Sequence, residues 1–321
     1  MQRPATESAP WAPDPDHPPA APGPVLGERA RVLAEHSWTA TRLAHQQRVD
    51  ALLAGHRARA GRGEQHPVED FLFSYYSLRP ARLRRWHPGA GTVLLGRAAA
   101  ERSAWRDHVS VPTAAGPGVT LDVAAFLDRR ADAVRRIRDL LAATASRPAQ
   151  LGCFGLHEWA MVYRPGADDV RHPAWPLRLG VAGTQAVVDS HRIRCTHYDA
   201  FRFFTDAARP LNQLQPHRED QVAIEQPGCL HATMDLYKWA YKLLPATCSD
   251  LVADAFELAR DVRVLDMRAS PYDLSALGYR PVPIETPEGK AGYTEQQRLF
   301  ATRGAAIRGR LLEVCDLLLP P

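Results

Sequence analysis

Two successive helical segments carry polar residues at the same spacing. His231, Asp235, Lys238 and Lys242 stand at i, i+4, i+7 and i+11, and Asp250, Asp254, Glu257 and Asp261 repeat the pattern after a short connection through Pro245 and Ser249. At 3.6 residues per turn, each set falls within an arc of about 60° on one helical face. An antiparallel pair sets Lys242 against Asp250 and Lys238 against Asp254 as a salt-bridge ladder, and brings His231 and Asp235 towards Glu257 and Asp261. A histidine with three carboxylates is a donor set that suits iron or manganese. Each stripe borders an apolar face, and partial desolvation there raises carboxylate pKa towards the range where proton transfer works at neutral pH.

A second concentration of chemically capable residues comprises His157, Glu158, His172, His197, Asp199, His217 and Glu219, spread over loops and segment starts. Histidines beside carboxylates on loops are where catalysis and metal binding concentrate, although a lone histidine is more often a hydrogen-bonded structural residue. Glu158 stands out because it lies inside the apolar run Leu156-His-Glu-Trp-Ala-Met161, where burial requires a partner.

The elements that must position these residues read as mainly α with a minor β part. Residues 1–24 are crowded with proline and read as a disordered tail. Helix is expected from about residue 25 to 60, ended by Gly61 and Gly63, from about 122 to 145, and from about 294 to 319. Short apolar runs at Thr92–Leu95 and Val109–Val111, with a Gly/Pro-rich link at 114–118, suggest a small hairpin, and residues 186–188 suggest a strand. The character changes near Arg147. The organisation is therefore a tail, an N-terminal helical region of residues 25–146 and a C-terminal region of residues 147–321 carrying the His/carboxylate cluster, with one continuous domain of 25–321 as the alternative.

The chain has 321 residues, 45% of them apolar, and a formal charge of +4. The excess is arginine, since lysine occurs only at 238, 242 and 290. Arginine favours planar, bidentate contacts to phosphate or carboxylate. No run of about 18 apolar residues offers a membrane span, and no apolar stretch near the N-terminus resembles a secretory signal. Five widely spaced cysteines without a C-x-x-C pair point to reduced thiols in a cytoplasm. From His66 to Gly96 aromatic residues alternate with Arg79, Arg82, Arg84 and Arg85, a pattern that suits phosphate tracking or, equally, a core helix with snorkelling arginines. Within it, Pro88-Gly-Ala-Gly91 has the Pro-Gly-x-Gly core of helix-hairpin-helix modules, with His87 in place of their apolar residue.

The strings His66-Pro-Val-Glu-Asp-Phe-Leu-Phe-Ser-Tyr-Tyr-Ser-Leu-Arg-Pro80, Trp86-His-Pro-Gly89, Glu225-Gln-Pro-Gly-Cys-Leu-His231, Asp235-Leu-Tyr-Lys-Trp-Ala-Tyr241 and Leu265-Asp-Met-Arg-Ala-Ser-Pro-Tyr-Asp273 resemble an actinobacterial family labelled as 3-methyladenine DNA glycosylases. The resemblance covers most of the chain after residue 65. It implies a monofunctional enzyme that needs no cofactor, binds DNA, takes an alkylated purine out of the stack and hydrolyses its N-glycosidic bond. On that reading Trp159, Tyr163, Tyr237 and Tyr241 stack on the base, Asp235, Glu257 or Glu158 stabilises the sugar cation, and the arginines of 79–85 follow phosphates. The residues themselves support an alternative, a metal-dependent helical oxygenase or hydrolase holding iron or manganese with His231, Asp235, Glu257 and Asp261. A third reading is a non-catalytic structural protein.

Overall fold

The computed structural model describes residues 30–165 and 175–319, so the Pro-rich tail and the loop with Arg171 and His172 lie outside the described residues. A small four-stranded sheet consists of β1 (Arg31–Leu33), β2 (Thr92–Leu95), β3 (His108–Thr113) and β4 (Gly116–Leu121), in the order β1-β2-β4-β3. β1 runs parallel to β2, and the other pairings are antiparallel. The remainder is helical. Among the described residues, no helix is long and apolar enough to cross a membrane.

Helix α1 (Glu35–Gly61) buries Trp38, His45, Val49 and Leu53, which recur on one face. Trp38 anchors its start to the sheet by donating from Nε1 to the Leu95 carbonyl at 2.9 Å, and stacks on Trp86. Helix α2 (Val123–Ala145) begins where the Asp122 side chain accepts from the Ala125 amide at 3.0 Å, which satisfies one of the free N–H groups of its first turn. Three further elements carry the polar interior: α3 (Leu156–Ala160), α5 (Leu230–Met234) and α7 (Ser249–Arg268), with α4 (Gly180–Asp189) and α6 (Leu236–Lys242) between them. Helix α8 (Pro287–Leu318) is capped by Thr286 and packs along α2, α5, α6 and α7. One apolar cluster runs from Val49 to Leu318 and so draws on both sides of residue 146.

The expected long helices are present, with α8 starting at Pro287 rather than near 294 and α1 starting at Glu35 rather than near 25, because Arg31–Leu33 pair with β2 as a strand. Two expectations are corrected. Residues 186–188 lie in α4, whose buried Thr184, Val187 and Val188 stand at i, i+3 and i+4, a helical spacing that a three-residue apolar run conceals. The Gly/Pro segment 114–118 is not merely a link, because Gly116 to Leu121 form the strand that separates β2 from β3. Gly118 makes this possible: a Cβ there would lie 2.5 Å from Val93 Cγ1 on the neighbouring strand.

The Pro-Gly turn is also not a helix-hairpin-helix. Gly91 leads into β2, and the turn's backbone is spent on the α6–α7 connection, with Ala90 N donating to the Ala246 carbonyl at 2.8 Å and Ser249 N to the His87 carbonyl at 3.0 Å. Gly89 has φ 89°, and a Cβ there would meet the Cys248 backbone nitrogen at 3.0 Å. Gly89→Ala is expected to lower unfolding free energy in urea by about 1–3 kcal/mol. Gly61→Ala, with open space around the site, should leave stability equal or slightly higher.

Candidate buried histidine and carboxylate centre

The packing of α6 against α7 differs from the expected ladder. Their apolar faces meet, which turns the polar stripe of α7 outward to other partners. Asp254 pairs with Arg48 at 2.8 Å and Arg310 at 2.7 Å, Glu257 with Arg48 at 3.0 Å, Asp261 with Arg303 at 2.9 Å, and Asp250 lies 3.7 Å from His45. Lys238 turns instead to Asp235 and to Asp199. Glu257 and Asp261 are therefore partly exposed members of surface ion pairs, away from His231 and Asp235.

The residues that do converge come from four elements. α3 starts at Gly155, in the left-handed region at φ 67°, and this sharp entry places His157 and Glu158 inside the protein. α5 follows a loop held by the Gln226 side chain, whose oxygen accepts from Gln150 N at 2.8 Å and Gly228 N at 2.7 Å; this fixes where His231 enters. His197 precedes the turn Tyr198–Phe201. The last two turns of α7 contribute Arg263 and Asp266, both nearly fully buried.

These side chains form two charged networks. In the first, Arg263 Nη1 donates to Glu158 at 2.9 Å and to Asp266 at 3.0 Å, while its guanidinium lies 3.8 Å from the centre of the Phe71 ring. His157 Nε2 stands 3.0 Å from Asp266 Oδ1, and its Nδ1 is 4.0 Å from the Cys153 sulfur. In the second, Asp235 accepts from Tyr76 Oη at 2.8 Å and from Lys238, and lies 3.2 Å from His197 Nε2; Glu225 is 3.9 Å from the same nitrogen. His231 joins the two, with its ring 4.5 Å from that of His157 and 5.2 Å from that of His197.

The electrostatics follow from burial and pairing. Burial raises the Asp266 carboxyl, but His157 and Arg263 outweigh it and hold the group below the usual carboxylate range. Burial disfavours charge on His157, yet Asp266 outweighs burial and raises its pKa. His231, buried beside His157 and His197, is pushed well below an ordinary histidine and stays neutral. Asp235 is likewise held low against burial by Lys238 and His197, whereas burial pushes Glu225 up.

His157 Nε2 and Asp266 Oδ1 stand at ion-pair distance, 3.0 Å, but the ring N–H is poorly aligned with the oxygen, so the contact is mainly electrostatic. Donor atoms of His157, His231 and Asp266 all lie within 4.8 Å of one another. A cavity of about 10 Å³, room for roughly one water, adjoins His157 and His231 and is also lined by Cys153, Cys195 and Cys229.

Other expected site residues are placed differently. Trp159 is fully buried and donates to the Ala269 carbonyl, Tyr163 donates to Asp189, and Tyr237 is packed edge-on among Tyr76, Tyr241 and Phe256, so their faces are already covered in the interior. Tyr241 is half-buried beside Ser77. Arg79, Arg82 and Arg85 are exposed, and Arg84 pairs with Asp50. His217 and Glu219 are exposed and apart from the centre. Arg263 and Asp266 were not singled out from the sequence. Their signal is positional, since Asp266 follows Ala259 and Val262 at helical spacing and thus places a charge on the apolar face of α7.

Comparison with protein-family models, with curated proteins and with solved structures finds no match for the chain.

Removing Arg263 leaves Glu158 and Asp266 buried without their cation, so Arg263→Met is expected to destabilise by about 3–5 kcal/mol in denaturant unfolding. Glu257→Gln, at a partly exposed pair, should change stability by under about 1 kcal/mol. Asp235 has a depressed folded pKa, so its contribution is present above the unfolded value of about 4 and is lost as the pH falls below that value. The stability gap between wild type and Asp235→Asn should be widest near pH 7 and narrow below about pH 4, as read by urea melts across the pH range.

Proposed function

We propose that this protein is a metal-dependent enzyme whose divalent ion is held by His157, His231 and Asp266. The observation that carries the reading is the convergence of one donor atom from each of the buried residues His157, His231 and Asp266 within 4.8 Å of one another. Ligand bonds of about 2.1 Å at right angles separate neighbouring donor atoms by about 3.0 Å, the separation of His157 Nε2 from Asp266 Oδ1, with the His231 donor within 4.8 Å of both. Two imidazoles and one carboxylate on a single face form the donor set of non-haem iron(II) centres, with manganese as the close chemical substitute. An ion held by these three residues would supply Lewis-acid polarisation of a small bound ligand.

The surroundings support a tuned centre rather than an accidental one. Arg263 fixes the second oxygen of Asp266, and Cys153 approaches the far nitrogen of His157, the kind of outer contact that orients metal ligands. The adjoining cavity admits one water-sized ligand. Of the four expected ligands only His231 belongs to this trio; Asp235 is held by Lys238 and His197, and Glu257 and Asp261 sit in surface ion pairs. DNA glycosylase activity draws its support from the family resemblance alone, since Asp235 and Glu158 are each committed to buried ion pairs.

Protein purified without an affinity tag and reconstituted anaerobically with iron(II) or manganese(II) should hold about one equivalent, by elemental analysis after desalting. His231→Ala and Asp266→Asn should lose it, and Glu257→Gln and Asp261→Asn should retain it. Nitric oxide added to the iron(II) form distinguishes an open centre, which gives a paramagnetic adduct, from a closed structural site, which gives none. Failure of wild type to retain any divalent transition metal ends the proposal.

A further inference from the structure

On the side of the molecule formed by α1, the segment Pro80–Trp86 and the residues between β2 and β3, arginine and tryptophan gather without matching carboxylates. Arg102 is 3% exposed, and its guanidinium carbon lies 5.2, 5.1 and 4.6 Å from the ring centres of Trp38, Trp86 and Trp105. Its hydrogen bond is a long one, 3.3 Å to the Trp86 carbonyl. Three indole faces stabilise a cation, but they do not neutralise it. Burial and the neighbouring Arg42 lower its pKa to about 10, so the side chain is charged at neutral pH.

Arg102 lines an open cavity of about 570 Å³ together with Arg42 and Arg85, and a second cavity of about 470 Å³ lies beyond Arg85 and Trp105, which line both. Arg82 and Arg106 line the second cavity. Among the described residues none of Arg42, Arg82, Arg85, Arg102 and Arg106 makes an ion pair, in contrast to Arg57, Arg84 and Arg129, which do. The acidic lining is confined to Glu101 and Asp107, and Asp107 is engaged by Arg129. Arg85 is exposed and spreads its guanidinium 5.3 Å over the Trp105 ring, which gives a flat, positively charged ridge between the two cavities.

We infer that this trough binds single-stranded nucleic acid, with phosphates at the unpaired arginines and a base stacked on the Arg85–Trp105 ridge. Unpaired arginines on both sides of one ridge match a chain of phosphates rather than a single one, and planar guanidiniums grip phosphate oxygens in pairs. Aromatic and guanidinium planes accept any base, so the binding is expected to be tolerant of sequence. The concave, divided shape takes successive nucleotides singly and offers no recognition helix to a duplex groove. The inference is independent of the metal centre, which lies among different residues.

The probe is a fluorescein-labelled 20-nucleotide oligo(dT), followed by anisotropy against full-length protein at several salt concentrations. Wild type should bind with affinity that falls steeply as salt rises. Arg82→Gln with Arg106→Gln, both at exposed positions off the stacking ridge, should weaken binding at least tenfold and reduce the log–log salt slope by about 1.4, about 0.7 for each phosphate contact on a single strand. Arg192→Gln with Arg298→Gln, exposed arginines outside the trough, should bind as wild type does, and thermal melting confirms that each variant is folded. Equal weakening by the two pairs shows general surface attraction and overturns the inference. So does a duplex of the same length bound more tightly than the single strand, or inorganic polyphosphate of matched charge bound equally well, since the first removes the single-strand preference and the second the stacked base.

Discussion

A charge cannot be buried alone, and in this protein the convergence of four helical elements follows from that constraint. Arg263 is held in the interior against Glu158 and Asp266, and these two carboxylates need it as much as it needs them. The arginine comes from the C-terminal part of α7, the glutamate from α3 and the aromatic cover from Phe71, so the ion triad with its cover ties three distant stretches of sequence at one point. A second interior charge pair, Asp235 with Lys238, performs the same service for the junction of α5 and α6, with Tyr76 and His197 supplying the remaining contacts.

Between these two networks stands His231, whose ring touches both neighbouring imidazoles and which burial keeps neutral. A neutral imidazole among charged neighbours has a lone pair to offer. That distinguishes it from the structural histidines elsewhere in the fold, such as His45, whose Nε2 is engaged with the Leu83 carbonyl at 3.0 Å. The character of the centre therefore depends less on the number of titratable groups than on the two ion networks that flank His231 while burial holds it neutral.

The helical frame was legible in the sequence because periodicity and caps are local. Val123–Ala145 shows both, with Asp122 as cap and apolar residues recurring to Leu141. The interior was less so. His157, His197 and His231 appear in the sequence as separate loop or segment-start histidines, and their convergence depends on contacts between residues 34 to 109 positions apart, when Asp266 is included, which no short-range pattern records. The repeated polar spacing at 231–242 and 250–261 is real as a pattern, but two elements supply competing arginines: Arg48 from α1 and Arg303 and Arg310 from α8. A stripe read on two helices alone cannot reveal partners that arrive from outside the pair. Charges on the apolar face of α7 were the available clue to Arg263 and Asp266.

Helix α8 covers this interior late in the order of synthesis. At 1.5 Å per residue its 32 residues reach about 48 Å. Along that length Gly304 fits closely against Thr233 and Leu236, and Gln297 donates to the Gly228 carbonyl at 2.5 Å. The segment that carries His231 is thus roofed by residues translated some 60 to 75 positions after it, or several seconds at ordinary ribosomal speed. During that interval α5 lacks its cover, the hydrophobic cluster cannot close, and the histidines are open to water. Closure of the interior around His231 therefore waits on α8, and until that helix docks the buried imidazoles keep a route to solvent that the finished fold denies them.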